Sequence, residues 1–211
     1  AASEIIVEIN RAQPEILFGL HDIYIPEPPP DAEPIPLKNC TDRIGSLALP
    51  VDLSKIKYIV ETDKPENIVE QTTTTDESRK IAEYLFRCLK LEYGSRSGGS
   101  IPPIQLGFGN IANAIADLFQ TSEFKDLQFF CGGVSENVLR LLQSGKASAI
   151  STGAISMNEN AARILDQIPE VHKKIILRNG ELMNNAEIVG RLGVVALNTG
   201  IEIDIYGNVN S

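Results

Sequence analysis

Two strand–glycine–helix units follow one another between residues 101 and 146, and they constrain the fold more than any other feature of the sequence. Residues 104–106 are predicted as a short apolar strand, and residues 107–110, Gly-Phe-Gly-Asn, as the turn that leaves it. Residues 127–130 are predicted as a second strand, which Gly132 and Gly133 end. Apolar residues at helical spacing follow both turns, so each turn leads from the carboxyl end of a strand into a helix.

The sheet edge at which both turns lie is the expected place for a ligand. Free backbone N–H groups and the helix dipole favour anionic groups at that edge of an open α/β sheet. The alternation continues, with further strands predicted at residues 147–150, 174–177, 194–197 and 201–206. The sequence therefore predicts an α/β fold, with a mainly parallel open sheet and helices on both faces.

The segments outside this alternation carry weaker signals. Residues 5–9 and 57–61 are predicted strands, whereas the prolines of residues 21–36 predict an irregular extended segment. Gly207-Asn208 is typical of a turn, but no returning strand is predicted before residue 211. Two capping boxes are predicted to begin helices, Thr74 with Glu77 and Ser156 with Glu159. The inner face of the first of these helices is predicted to be Ile81, Tyr84, Leu85, Cys88 and Leu89.

Composition and charge exclude several classes of protein. The net charge of −9 argues against general binding to nucleic acids or anionic membranes, which need a basic surface. The three cysteines are widely spaced and form no C-x-x-C pair, which indicates reduced, mostly buried thiols. There is no apolar run of transmembrane length and no signal-peptide pattern. We therefore expect a soluble cytoplasmic protein, with the mitochondrial matrix as the alternative in a eukaryote.

Spacing alone leaves the chemistry of the first glycine turn open. Gly107-x-Gly109-x-x-Ala112, between a strand and a helix, fits the dinucleotide-binding fingerprint. The following strand ends at Cys131 without the carboxylate that binds a ribose in such sites. A nicotinamide nucleotide site and a plain tight turn are therefore both open on these grounds, with the turn favoured.

Other reactive residue types have structural alternatives. Cys131 is a candidate nucleophile, but no histidine lies near it in sequence and a core thiol is favoured. His21 and His172 have no neighbours at metal-ligand spacing, so no metal site is predicted. Three basic residues are interpreted as a surface patch in preference to an anion site: Lys173, Lys174 and Arg178.

Six sequence blocks, in their order along the chain, resemble those of a known family. HDIYIPEPPP, TDRIG, KYIVETDKP and ESRKIAEYL come first, followed by IQLGFGNIANA at residues 104–114 and RLGVVALNTGIEIDIYGNVNS at residues 191–211. They are similar to successive blocks of the acetyl-CoA hydrolase/CoA-transferase family, which includes succinyl-CoA:acetate and 4-hydroxybutyrate CoA-transferases. The resemblance covers essentially the whole chain.

The resemblance implies a fold and a mechanism. Family members have two α/β domains, between which coenzyme A and the carboxylate substrate meet. A glutamate attacks the acyl-CoA thioester to give a mixed anhydride, and the CoA thiolate then returns to make an enzyme–CoA thioester. Backbone N–H groups of the glycine turn are expected to hold the developing oxyanion. Acyl-CoA and a small acetate-type carboxylate are the implied substrates, with no permanently bound cofactor.

The resemblance also implies functions for particular residues. Phe108 stands where family members often have valine. The expected CoA- and oxyanion-binding residues are Gly107, Phe108, Gly109, Asn110, Ile111, Asn184 and Ile201.

The chain departs from the family pattern at the nucleophile. The position of the family's glutamate falls on Gly132, which has no side chain to attack a thioester. Glu136 lies about one helical turn further on and is the substitute to consider. A nucleophile displaced that far should lose most of its rate. The alternative is that Glu136 is a first-turn acid favoured by the helix dipole.

Domain organisation and partners are likewise implied by the resemblance. Residues 1–36 are predicted as a remnant of the first domain with a proline-rich linker, and residues 37–211 as a CoA-transferase-like domain that is incomplete at its C-terminus. We therefore expect a chain truncated at both ends, related to CoA-transferases and acetyl-CoA hydrolases, with Gly132 arguing against activity. The alternative is a non-catalytic CoA-binding or interaction module that pairs with a full-length homologue or with itself.

Overall fold

The computed structural model describes residues 2–64, 73–94 and 100–210 of the 211-residue chain. The strands are β1 (Ile5–Asn10), β2 (His21–Asp22), β3 (Ile56–Thr62), β4 (Ile104–Leu106), β5 (Leu127–Cys131), β6 (Ala147–Thr152), β7 (Ile175–Arg178), β8 (Val195–Leu197), β9 (Glu202–Ile203) and β10 (Val209–Asn210). The helices are α1 (Asp76–Leu89), α2 (Asn110–Thr121), α3 (Glu136–Gln143), α4 (Glu159–Gln167), α5 (Val171–Lys174), α6 (Gly180–Met183) and α7 (Ala186–Leu192). No helix of the described residues is long and apolar enough to cross a membrane.

One six-stranded sheet organises the fold, in the order β2-β7-β6-β5-β4-β8. All five of its strand pairs are parallel, which confirms the predicted α/β class. The chain moves one strand at a time from β4 to β7 and then crosses back to place β8 on the other side of β4. The strand order thus reverses between β4 and β8, and such reversals create a crevice at the carboxyl ends of the strands.

Two hydrophobic cores cover the two faces of this sheet, as the prediction of helices on both faces requires. Successive strand residues point to opposite faces, so Phe129 enters one core and Phe130 the other. The larger core contains residues of α1 to α4, and the smaller contains residues of α6, α7 and the segment around Leu37. Both phenylalanines are fully buried, because a parallel sheet must be covered on each side.

Helix α1 is rotated relative to the predicted inner face. Its buried side chains include Ala82, Phe86 and Leu89, whereas Ile81 and Tyr84 are 43% and 66% exposed. The Phe86 ring lies edge-on to two other buried rings, with centroid distances of 5.2 Å to Phe119 and 5.5 Å to Phe124. These aromatic contacts decide which face of α1 turns inward.

Both predicted capping boxes were assigned to the wrong residues. Helix α1 is capped by Thr75, whose Oγ1 accepts from the Ser78 N–H at 3.2 Å, while Ser78 Oγ accepts from the Thr75 N–H at 2.9 Å. Helix α4 is capped by Asn158, whose Oδ1 accepts from the Ala161 N–H at 2.7 Å. Ser156 instead donates its backbone N–H to the Val134 carbonyl at 2.9 Å, and so it belongs to a strand-like connection.

The C-terminal segment forms a hairpin, so the predicted absence of a returning strand was wrong. Strand β10 pairs antiparallel with β9, with Val209 opposite Ile203. The predicted strand at residues 201–206 is shortened to Glu202–Ile203. Asp204 Oδ1 accepts the N–H groups of Tyr206 and Asn208, each at 2.9 Å, and this local turn ends the strand.

Strands β1 and β3 form a separate two-stranded parallel sheet that leaves apolar side chains exposed. Ile6 lies opposite Tyr58, and Val7 opposite Ile59. Ile6, Tyr58 and Ile59 are between 63% and 68% exposed. Parallel sheets are normally covered on both faces, and an isolated strand pair is at best marginally stable in water.

A buried ion pair ties the proline-rich segment to the sheet. The prediction that residues 21–36 are irregular was wrong at His21–Asp22, which pairs with the end of β7. Asp22 and Arg178 form a salt bridge with 1% and 0% of their side chains exposed, so placing Arg178 in a surface patch was also wrong. Burial lowers the pKa of the Arg178 guanidinium, and the Asp22 carboxylate opposes that shift. These contacts cross the predicted domain boundary at residue 36, which stays a prediction.

The Asp22 carboxylate also accepts hydrogen bonds from the chain beyond the proline-rich segment. It accepts the backbone N–H groups of Ile44 at 3.0 Å and Gly45 at 2.8 Å. Arg178 Nε donates to Ser151 Oγ at 2.6 Å. The carboxylate and the guanidinium are therefore both satisfied without solvent.

Removing this ion pair should destabilise the fold. We expect Asp22→Ala to lower the free energy of unfolding by about 3–5 kcal/mol, because it leaves Arg178 buried without a counter-charge. Urea denaturation followed by circular dichroism measures the change. Asp31→Ala is the control, since Asp31 is exposed, and it should stay within about 0.5 kcal/mol of the wild type. Equal stability of the two variants would contradict a structural function for the pair.

Candidate functional site

The carboxyl ends of β4 and β8 form a small cleft at the reversal of strand order. Gly107 follows β4 and Asn198 follows β8, and a Cβ atom built on Gly107 would lie 3.9 Å from Asn198 Oδ1. The cleft has a volume of about 20 Å³, and Phe108, Ile111 and Thr199 also line it. It occupies the position at which open α/β sheets bind ligands.

Helix α2 begins at this cleft. Gly109 is its N-cap residue, with φ +120° and ψ −178°, a conformation that L-residues with side chains rarely adopt. The Gly109 carbonyl accepts the Asn113 N–H at 3.0 Å. The N–H groups of the first helical turn have no partner within a helix, and they carry the positive end of its dipole.

The two glycine turns touch each other. A Cβ atom on Gly133 would lie 2.3 Å from Cζ of Phe108, so the phenylalanine ring occupies the space that a side chain there would need. A Cβ atom on Gly132 would meet no atom within 4 Å. Position 132 therefore has room for a side chain, whereas position 133 requires glycine or movement of the Phe108 ring.

The carboxyl ends of β4, β5 and β6 lie in a row at this edge of the sheet, and the end of β6 is the third of them. The Gly153 N–H donates to the Cys131 carbonyl at 3.2 Å, and the Val134 N–H donates to the Ala154 carbonyl at 3.0 Å. A Cβ atom on Gly153 would lie 2.8 Å from the Gly132 carbonyl oxygen. The segment after β6 thus packs directly against the second glycine turn, and only a residue without a side chain permits that approach.

Comparison with known proteins gives the family. No family model matches the chain. The chain is 38% identical over 215 residues to a succinyl-CoA:acetate CoA-transferase of Clostridium kluyveri and 34% identical over 212 residues to an acetyl-CoA hydrolase of Candida albicans. Both matches cover 100% of this chain but only 39% and 40% of the relatives. The chain belongs to the acetyl-CoA hydrolase/CoA-transferase family.

A solved structure of a family member has the same fold. The 4-hydroxybutyrate CoA-transferase from Porphyromonas gingivalis aligns with a TM-score of 0.63 and 19% sequence identity. The alignment covers 98% of this chain and 44% of that protein. The chain therefore spans about two-fifths of the length of the relatives it matches.

The residues that the family resemblance singled out are not all in one place. Gly107, Phe108 and Ile111 line the cleft. Asn184 is exposed and directly follows the last residue of α6, Met183. A Cβ atom built on Gly153 would lie 3.6 Å from Cγ of Met183. This places the end of α6 beside the row of strand ends.

Ile201 belongs to the C-terminal hairpin and does not line the cleft. Its side chain is 83% exposed, and its backbone N–H donates to the Asn210 carbonyl at 2.8 Å in the C-terminal hairpin. It follows Thr199 by two residues but is not among the residues that line the cleft. Its function in binding CoA stays a prediction.

Glu136 is held by two neighbouring helices. It is 4% exposed in the first turn of α3, and its Oε1 accepts from Arg140 Nε at 3.0 Å. Its Oε2 accepts from Asn158 Nδ2 at 3.3 Å. These bonds fix the carboxylate between α3 and the start of α4, which favours a structural function.

Cys131 is the last residue of β5, and its buried side chain contacts β4. Its Sγ accepts from the Leu106 N–H at 3.3 Å and lies 3.4 Å from the Ile104 carbonyl oxygen. Burial raises its pKa to about 11, and burial also raises the pKa of Cys40 to about 12. Both groups are therefore neutral thiols at physiological pH, as expected of core cysteines and not of nucleophiles.

No cluster of three metal-ligating side chains occurs among residues 2–64, 73–94 and 100–210. The ring of His172 hydrogen-bonds through Nε2 to the Phe18 carbonyl at 2.9 Å. His172 therefore makes an ordinary hydrogen bond between a side chain and the backbone.

Prediction from the sequence missed Asn198, Thr199 and Gly153 as residues of this sheet edge. Asn198 and Thr199 directly follow a predicted strand, and Gly153 follows another. Such positions become candidates once the strand order is known, because the order decides which strand ends are neighbours. The NTG segment after β8 is the signal that sequence reasoning could have used.

The cysteines should differ sharply in reactivity. Cys88 is exposed, whereas Cys40 and Cys131 are buried. At pH 8 a thiol of pKa about 11 is ionised in only about one molecule in a thousand, and burial also blocks the reagent. We expect Ellman's reagent to modify one thiol rapidly and the other two only after denaturation. Cys88→Ser should remove the rapid phase, and rapid modification of Cys131 would contradict its core position.

Loss of the Glu136 charge should affect stability. Glu136→Gln should lower the free energy of unfolding by about 1–3 kcal/mol, because the buried amide is uncharged and keeps only one of the two oxygens that accept from Arg140 and Asn158. Thermal or urea denaturation measures this. Glu159→Gln, at an exposed first-turn position of α4, should cost at most about 1 kcal/mol. An undiminished stability of Glu136→Gln would argue that the carboxylate is kept for chemistry.

Proposed function

We propose that this chain binds the thioester end of an acyl-CoA at the paired glycine turns, but does not itself form the enzyme–CoA thioester of its family. Family membership supports the first part, together with the contact between Phe108 and Gly133. Gly132, at the position that the family resemblance assigns to the glutamate, supports the second. The chain spans about two-fifths of the length of its relatives. Any activity of the whole protein is therefore also a proposal.

Binding would use the backbone at the start of α2. The carbonyl oxygen of a thioester gains negative charge as a nucleophile attacks, and fixed N–H donors stabilise that charge. The first-turn amides of α2 are such donors, and the N-cap residue Gly109 has no side chain to cap them. The site needs no metal for this function.

The covalent steps need a carboxylate that this chain lacks at position 132. In the family mechanism, a glutamate oxygen forms a bond to the thioester carbonyl carbon as the bond to CoA sulfur breaks. The released thiolate then attacks the glutamyl carbonyl carbon of the anhydride, and the acyl group leaves as a carboxylate. A second carboxylate or water resolves the enzyme–CoA thioester. Gly132 can take part in neither bond formation.

Glu136 is a poor replacement for the missing carboxylate. Its side chain is already bonded to Arg140 and Asn158, and freeing it would break buried hydrogen bonds. Misplacement by even about 1 Å can cost a reaction roughly 100-fold. We therefore assign Glu136 to stabilising α3.

A second candidate function is that of an interaction module that pairs with a full-length homologue. The exposed apolar side chains of the β1–β3 sheet, Ile6, Tyr58 and Ile59, favour it. A covering partner would remove this apolar surface from water. Size-exclusion chromatography with and without such a homologue distinguishes pairing from binding of CoA alone.

Restoring the glutamate tests the proposal directly. The space around position 132 accepts a side chain, so Gly132→Glu should form a covalent CoA adduct with acetyl-CoA. Adduct formation should exceed that of the wild type by at least about 100-fold, because the variant has a positioned nucleophile where the wild type has none. Mass spectrometry of the untreated protein measures the CoA adduct. Borohydride reduces the glutamyl thioester to an alcohol and releases CoA, so the reduced residue marks the position of the adduct.

Gly132→Gln is the matched control, because glutamine has the size of glutamate without its nucleophilic carboxylate. It should bind CoA by calorimetry and form no adduct. A clear adduct on any side chain of the wild type would overturn the proposal of an inactive chain. Failure of Gly132→Glu to react, although it binds acetyl-CoA, would argue against position 132 as the nucleophile's place.

A further inference from the structure

A second and larger cavity opens at the carboxyl ends of β6 and β7. Its volume is about 390 Å³, within the range of small-molecule sites. The N-terminal segment closes one side, with Leu17, Ile23 and Leu49. Ile155 and Met157 form part of the opposite wall. The lining is predominantly apolar, and the dinucleotide, metal and nucleophile alternatives do not account for it.

This cavity adjoins the second glycine turn. Gly153 and Ala154 belong to its wall, and the same two residues bond to the backbone around Gly132. In the sheet, β6 is the neighbour of β5, and β7 is the next strand. Since neighbouring strands are about 4.8 Å apart, the ends of β6 and β7 lie about 5 and 10 Å from the end of β5. An acyl chain that starts at the second glycine turn therefore has the cavity within about 5–10 Å along the sheet edge.

The cavity offers no permanent counter-charge for a second carboxylate. Of the described residues that line it, Arg178 is the one with a permanent positive charge. Its side chain is fully buried, and its guanidinium is bonded to Asp22 and Ser151. An anionic group that entered the cavity would lose water without gaining a free cation, and this is costly.

We infer that this cavity receives the acyl group of the thioester, and that the chain selects apolar acyl groups of about four to six carbons over acetyl and succinyl groups. The inference rests on the proposed function, because the glycine turns must hold the thioester. Burial of a methylene in an apolar site favours binding by about fourfold. The cavity is open on one side, so hexanoyl-CoA should bind at least about tenfold more tightly than acetyl-CoA.

Calorimetric titration of the whole chain tests this preference without requiring turnover. The four probes are CoA, acetyl-CoA, hexanoyl-CoA and succinyl-CoA, each at pH 8, above the range in which histidines ordinarily titrate. The expected order is hexanoyl-CoA tightest, with succinyl-CoA no tighter than acetyl-CoA. Equal affinity for all four probes would overturn the inference and leave the proposed function intact. Failure of all four to bind would overturn both.

A variant that fills the cavity locates the preference. Ala154 lines the cavity, and Ala154→Phe should reduce the affinity for hexanoyl-CoA to that for acetyl-CoA. Ala32→Phe is the control, since Ala32 is exposed outside the cavity, and it should keep the tenfold preference. Circular dichroism confirms that both variants are folded. A preference that persists in Ala154→Phe would show that the acyl group binds elsewhere, and would overturn the inference.

Discussion

Backbone pairing among six parallel strands is the constraint on which the rest of this structure depends. Parallel pairing collects the carboxyl ends of all six strands at one edge, and it requires cover on both faces. Strand β5 shows both consequences, because Phe129 and Phe130 enter opposite cores and the next residues form the second glycine turn. The cleft and the larger cavity lie along the edge that this arrangement creates.

Two close approaches and one backbone conformation along that edge depend on glycine. Phe108 covers Gly133, and the Gly132 carbonyl packs against Gly153. Gly109 supplies a conformation with φ +120° that begins helix α2 at the cleft. Gly132 differs from these residues, because its backbone is ordinary and its surroundings are open. Neither packing nor conformation requires glycine there, so the structure gives no stability reason for the loss of a side chain at that position.

Charge is used inside this protein to hold segments together. Arg178 and Asp22 join the end of β7 to the start of the proline-rich segment, and Glu136 joins α3 to the start of α4 through Asn158. A cation that is already paired in this way is unavailable to a ligand. The larger cavity therefore favours apolar groups, although Arg178 lines it. The same pair also carries contacts across the predicted domain boundary, so the proline-rich segment is anchored at its beginning.

The sequence by itself determined the α/β class, the positions of both glycine turns and the absence of a side chain at residue 132, since these follow from local periodicity and residue type. It misplaced both helix caps and the inner face of α1, where hydrogen bonds and aromatic packing chose between near-equivalent residues. Only the tertiary structure placed Asn198 beside Gly107, and Leu17, Ile23 and Leu49 around the cavity at the end of β6. The reason is that local sequence signals fix each strand and turn, whereas the neighbours of a strand are chosen by pairing across the whole sheet.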